Sequence, residues 1–209
     1  MAKARVYFTR EITPQAMDRL YDALGIRLSG KTAVKISTGE PGGHNFLQPA
    51  LIGPLTERLH GTIVECNTAY PGERNTTNAH RRTMIKHGWS KLFDVDILDA
   101  EGPDLELPIP NGKRIQKNLV GKDIKNYDSM LVLSHFKGHP MGGFGGALKQ
   151  LSIGCASSAG KANIHGAGKP EEMWTTEQNA FLESMADAAE SVVKLFDGKI
   201  VYINVMKNM

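Results

Sequence analysis

The sequence predicts an α/β fold: a mostly parallel sheet flanked by helices, with one β-hairpin insertion. Three observations carry this reading. Short β-branched runs alternate with longer segments of helical period, the pattern of strands joined by helical crossovers. Residues 129–134 (Ser-Met-Leu-Val-Leu-Ser) form a near-continuous apolar run, as in a parallel strand buried on both faces, and lead into a glycine-rich loop. Asn111-Gly112 lies between two short apolar runs, a strong hairpin signal.

In chain order, residues 5–9 read as a first strand. Thr13 is placed to cap a helix with Pro14 in its first turn, and Met17, Leu20, Tyr21 and Leu24 follow at helical spacing. Residues 32–37 read as a strand, 46–60 as a helix and 62–66 as a third strand. Residues 76–87 are helical and stop at Gly88, and 93–98 form another strand. The hairpin comprises 105–110 and 113–120. After the buried strand 129–134 come a helix start at 147–153, a long amphipathic helix at 176–196 and a strand at 200–205. With only four residues after it, that strand either closes the sheet of a small domain or belongs to a longer module.

The length of 209 residues suits a single α/β domain over 1–209. With 41% hydrophobic and 22% charged residues, the chain is neither disordered nor collagen-like nor a coiled coil. A net charge of +3 with scattered basic residues leaves room for a small anionic ligand and argues against a polyanionic partner. The two cysteines, Cys66 and Cys155, cannot supply the four thiolates of a cubane iron–sulfur cluster. No signal-peptide core is present, and no run approaches the roughly 18 apolar residues of a membrane span. The expected setting is therefore soluble, reducing and cytoplasmic, with no membrane partner.

The chemistry is concentrated in residues 134–168, which hold three of the seven histidines. In the glycine-rich loop 138–149, Gly142, Gly143, Gly145 and Gly146 allow backbone amides to approach an anion or cofactor. Glycines in such numbers also serve simply to make tight turns. The helix start that follows would reinforce anion binding. Two standard phosphate motifs fail: five residues separate Gly154 from Gly160, and Ala162 follows Lys161, so there is no P-loop. Leu148 stands where a dinucleotide fingerprint needs its third glycine.

His135 and His139 have a metal-ligand spacing, but Gly138 and Pro140 disfavour a helix and no Glu lies between them. His139 suits acid/base work, whereas His135 reads as a hydrogen-bonded side chain at a strand end. Lys149 is either a surface lysine or, if desolvated, an amine able to link to a carbonyl-type ligand. His165 is a candidate metal ligand, with simple hydrogen bonding as the alternative.

Other segments are less specific. Arg81 and Arg82 near a helix start can clamp an anion or line a solvated face. Asp94, Asp96, Asp99 and Glu101 read as solvent-facing, and Cys155 as a packed thiol.

Residues 127–154, with Lys137-Gly-His139 and Gly146-Ala-Leu-Lys149, resemble the core motif of the domain-of-unknown-function family number three-six-two. The likeness continues more weakly through Gly39-Glu-Pro-Gly42 and Tyr70-Pro-Gly-Glu-Arg74. It implies a longer module, often carrying a ferredoxin-type 4Fe-4S domain beyond the point where this chain stops, and hence an iron–sulfur protein partner.

The order His139, nine residues, Lys149, fifteen residues, His165 resembles more distantly the lactate racemase family that uses a nickel-pincer nucleotide. That likeness implies Lys149 as cofactor tether, His165 as nickel ligand and His139 as proton exchanger. His80 and His44 are the candidates for a second histidine on the opposite substrate face.

Three functions follow in order of support. The first is an enzyme core, of redox or isomerase type, binding a small anionic ligand or nucleotide-type cofactor through the glycine loop, Lys149, His139 and His165. The second is a non-catalytic module working with an iron–sulfur protein. The third is a nucleic-acid binder using Arg81, Arg82, Lys86, Lys113, Arg114 and Lys117. It ranks last because aromatic residues are not interleaved with these cations.

Overall fold

The computed structural model describes residues 5–207. Its first half is α1 (Pro14–Ala23), β1 (Thr32–Lys35), α2 (Pro49–Arg58), β2 (Thr62–Glu65), α3 (Thr77–Lys86), α4 (Trp89–Leu92) and β3 (Val95–Ile97). An antiparallel pair follows, β4 (Leu105–Pro108) and β5 (Lys117–Val120). The second half is β6 (Ser129–His135), β7 (Lys137–His139), β8 (Gly143–Gly145), α5 (Ala147–Ser152), α6 (Ser158–His165), α7 (Gln178–Leu195) and β9 (Ile200–Val205). Thr13 starts α1 as its sequence indicates, its hydroxyl accepting the Ala16 amide at 3.1 Å.

Five strands make one parallel sheet in the order β3-β2-β1-β6-β9. The chain winds outward from β1 through β2 to β3, then returns to pair β6 with the other side of β1 and β9 beyond it. β1 and β6 therefore flank the point where the winding reverses. In such sheets ligands sit in the crevice outside the carboxyl ends of these strands.

Strand alternation distributes the core between two layers. Val34, Ile36, Ile63, Leu131 and Leu133 pack against Met17, Ile52, Leu55, Met84 and Trp89 from α1 to α4. Ala33, Val64, Met130 and Val132 pack against Leu151, Cys155, Ala189 and Val192 on the α5 and α7 side. Each fully buried aliphatic side chain contributes about 1.5–3 kcal/mol through removal from water, which makes this two-sided burial the main driving force for the sheet.

The structure differs from the sequence expectations at four places. Residues 5–9 form no strand: Val6 and Phe8 are 84% and 81% exposed, and the sheet edges are β3 and β9. Asn111-Gly112 is not a two-residue turn but part of a longer loop between β4 and β5. There the buried Asp187 carboxylate on α7 accepts the amides of Lys113, Arg114 and Ile115 at 3.0, 2.7 and 3.1 Å. A tertiary anchor thus overrides the local turn preference. There are two hairpins rather than one, because β7 and β8 pair antiparallel inside the glycine-rich loop. Beyond that loop, residues 158–165 form an unexpected helix, α6, capped by Ser157 accepting the Gly160 amide at 3.1 Å. Gly160 is required there, since a Cβ would lie 2.0 Å from the Leu119 carbonyl oxygen of β5.

Candidate functional site

A cleft of about 380 Å³ opens at the carboxyl edge of the sheet, where the winding reverses. It gathers side chains distant in sequence, and Lys149, His139 and His165 all line it. The first turn of α5 is pinned by Asn204 of β9, whose side-chain oxygen accepts the Ala147 amide at 2.9 Å. Half-buried Lys149 then presents its amine to the cleft. Burial, helped by the charges of Lys137, Lys161, Lys35 and Arg74, pushes its pKa down to about 8.

The two histidines are held in opposite tautomers. His139, at the end of β7, accepts the Gly142 amide on Nδ1 at 3.0 Å. When neutral it therefore carries its proton on Nε2 and offers a donor. His165, at the end of α6, has Nδ1 2.7 Å from the Lys161 carbonyl. A carbonyl only accepts, so Nδ1 carries the proton and Nε2 keeps its lone pair. The ring stacks on Phe181 with centroids 5.0 Å apart. Burial, reinforced by Lys149, pushes the His139 pKa down to about 4. Burial also lowers His165, so both rings are neutral near pH 7.

The glycines divide. Gly145 and Gly146 line the cleft, whereas Gly142 and Gly143 are not among its lining residues. The Gly142 amide is engaged by His139 and the Ala147 amide by Asn204. The loop amides therefore position His139 and α5, and the positive charge facing the cleft comes from side chains.

Charged groups that the sequence does not single out lie in and beside the cleft: Glu65, Arg74 and Lys161 line it, and Lys35 pairs with Glu65. Lys35 of β1 and Glu65 of β2 are 0% and 4% exposed and paired at 2.7 Å. Arg74, 6% exposed, reaches Glu65 at 3.3 Å and also pairs with Glu40. Burial opposes charge on all three, but mutual attraction outweighs it. It holds Lys35 and Arg74 above their ordinary values and takes Glu65 down to about 2. Lys161 of α6, 7% exposed, donates to the Ala156 carbonyl at 2.6 Å. A single charged residue interrupting each apolar strand run, Ala-Val-Lys-Ile and Ile-Val-Glu-Cys, was the available signal.

His80 and His44 do not face the cleft. His80 is fully buried between Thr38 and Asn67, and His44 is exposed outside the lining. Neither can stand opposite His139. His135 does line the cleft; its Nδ1 is buried without a partner among the described residues, while backbone hydrogen bonds at Asn45 and Lys207 act on the side chain.

Asp99 is also not solvent-facing. It is 3% exposed and accepts the Asn67 and Ser158 amides, each at 2.8 Å, tying β2 to the start of α6. Arg81 and Arg82 are exposed outside the cleft. Lys113 and Arg114 pair with Glu183, and Lys117 pairs with Glu106. Among the described residues, no group of three or more His, Cys, Asp or Glu side chains could hold a metal ion, and no helix is long and apolar enough to cross a membrane.

These features define a doubly wound α/β domain with a cation-lined cleft at the carboxyl edge of its sheet. The chain belongs to the family described as "Domain of unknown function (DUF362)", whose model matches residues 32–209. Among solved structures it is similar to the lactate racemase apoprotein from Thermoanaerobacterium thermosaccharolyticum. The TM-score is 0.58 at 15% identity, over 95% of this chain and 50% of that one, so this chain spans half the length of that neighbour. The likeness is one of fold. No curated protein matches the sequence.

Proposed function

We propose that the chain is the core of an isomerase- or redox-type enzyme whose cleft holds a small anionic ligand or nucleotide-type cofactor. The observation that carries this reading is the convergence of Lys149, His139 and His165 on one cleft at the switch point of the sheet. Lys137, Lys149 and Lys161 bring positive charge into a partly desolvated space, Arg74 being paired with Glu65 and Glu40, and an oxyanion gains more there than it would in water. The fold it shares with a lactate racemase apoprotein favours the isomerase branch.

The nickel-pincer nucleotide implied by the motif resemblance of His139, Lys149 and His165 fits the residues present. His165 offers one lone pair and, among the described residues, no cluster of His, Cys, Asp or Glu ligands surrounds it, so a metal there would have to arrive with its other ligands. Lys149 has an amine that is half neutral near pH 8, suited to bonding an electrophilic carbon. When bound, such a group supplies the metal and its remaining ligands. This chain's own residues would hold its phosphate charge and orient His165 through the Lys161 carbonyl, with Met173 and Trp174 in the cleft lining. His139 begins as a proton donor at Nε2. For it to accept a proton there, Nε2 must first lose its own, or the ring must change tautomer and release the Gly142 amide.

The test is intact mass spectrometry with metal analysis on protein purified from its native host. The expected result is one anionic small molecule per chain, retained by wild type and lost from Lys149→Ala. Bare wild-type mass, no metal, and small-anion binding unchanged in Lys149→Ala would overturn the proposal.

A further inference from the structure

Ser134 near the end of β6 and Ser37 just past β1 lie at the point where the winding reverses. The last paired position of β1 with β6 is Lys35 opposite Val132. Two residues further on, the alternation of β6 places Ser134 on the face packed against α5 and α7, while Ser37 lies past the end of β1 and is exposed. Both line the cleft. The preceding residues of that face are apolar on β6 (Met130, Val132), so the change to serine comes where the sheet meets the cleft.

Ser134 is 2% exposed, and its Oγ has no hydrogen-bond partner among the described residues. A buried hydroxyl left unpaired costs about 1–3 kcal/mol, a cost that a bound ligand removes. Lys161 adds a second under-satisfied group. It is 7% exposed and lines the same cleft, with its hydrogen bond to the Ala156 carbonyl using one of three N–H donors. Ser134, Ser37 and Lys161 thus bring donors to a cleft that Glu65 and Glu40 also line.

We infer that Ser134, with Ser37 and Lys161, forms an oxyanion subsite in the floor of the cleft, taking a carboxylate or phosphate group of the ligand. The inference rests on the cleft being a ligand site and adds what Lys149, His139 and His165 leave open, namely where the ligand's charged end is held.

The test is calorimetric titration of the full-length chain with inorganic phosphate and, separately, acetate, in wild type, Ser134→Ala and Lys149→Ala, alongside thermal unfolding of each. The subsite predicts saturable binding of at least one probe. A hydrogen bond to a charged group is worth about tenfold in affinity, so Ser134→Ala should weaken binding by about that factor. Its unfolding temperature should be unchanged or raised, because an orphaned hydroxyl has been removed. Tighter binding of phosphate assigns the subsite to a phosphate group, and tighter binding of acetate to a carboxylate. Binding unchanged in Ser134→Ala but lost in Lys149→Ala overturns the subsite and leaves the cleft reading standing. Binding of neither probe, or a Ser134→Ala protein that unfolds earlier, also overturns the subsite.

Discussion

Replacing Glu65 by alanine should lower the unfolding free energy by about 4 kcal/mol, measured by urea unfolding with circular dichroism. Glu65 lies between Lys35, which is fully buried, and Arg74, which is nearly so. Removing the carboxylate leaves both cations without their buried counter-ion, and a broken buried pair costs about 3–5 kcal/mol. Linkage gives a similar size. A carboxyl held at about 2 against the reference value of 4.5 contributes stability that is present above pH 4.5 and lost as pH falls through about 2. His80 acts in the same direction. Burial lowers it from 6.5 to about 4, so its contribution is complete above pH 6.5 and is lost on the way down to about 4. Stability should therefore decline continuously between pH 6.5 and 2, and Glu65→Ala should flatten the lower part of that curve. A loss below 1 kcal/mol would show that the ion pairs are not what holds β1 to β2 at their carboxyl ends.

The Lys149 amine should titrate near pH 8 and so stand out among the lysines in reactivity. At pH 8 about half of it is neutral, against well under 1% of an ordinary lysine, a difference of about 100-fold in the nucleophilic form. Trace acylation with peptide mapping across pH 6–11 gives the value directly. The first cause is burial and the next is the crowd of cations. Lys161→Met should consequently move the titration of Lys149 upward, and Lys149 labelling that follows an ordinary lysine curve would remove the basis for assigning it covalent chemistry. The shift also sets a stability window. A lysine whose folded value lies below its unfolded one costs stability while both states are protonated, so that cost is relieved as pH rises from about 8 to 10.5.

The fold was legible where local pattern and tertiary context agree. The apolar run in β6, the Thr13-Pro14 helix start and the apolar strands β1, β2 and β9 follow from burial on two faces and from capping chemistry. Residues 5–9 have strand-like composition, but composition cannot say whether a neighbour exists to pair with. The loop between β4 and β5 obeys Asp187, more than seventy residues away, and not its own Asn-Gly.

The same division holds at the site. Lys149, His139 and His165 were visible because they crowd one stretch of sequence. Lys35, Glu65 and Arg74 were not, because only the strand order β2-β1-β6 makes them neighbours. Nor does sequence distinguish the tautomers of His139 and His165, which depend on one amide and one carbonyl.

Lys149, His139 and His165 should face one ligand. Nitrogen-15 NMR of the histidine side chains at pH 7, titrated with a nucleoside monophosphate, tests it most directly. The free protein is expected to hold His139 protonated at Nε2 and His165 at Nδ1, both neutral. The His139 and His165 signals should then move together along one saturation curve, while His44 and His60 outside the cleft stay fixed. Tautomers other than these, or a titration that leaves His139 and His165 unmoved, would contradict it.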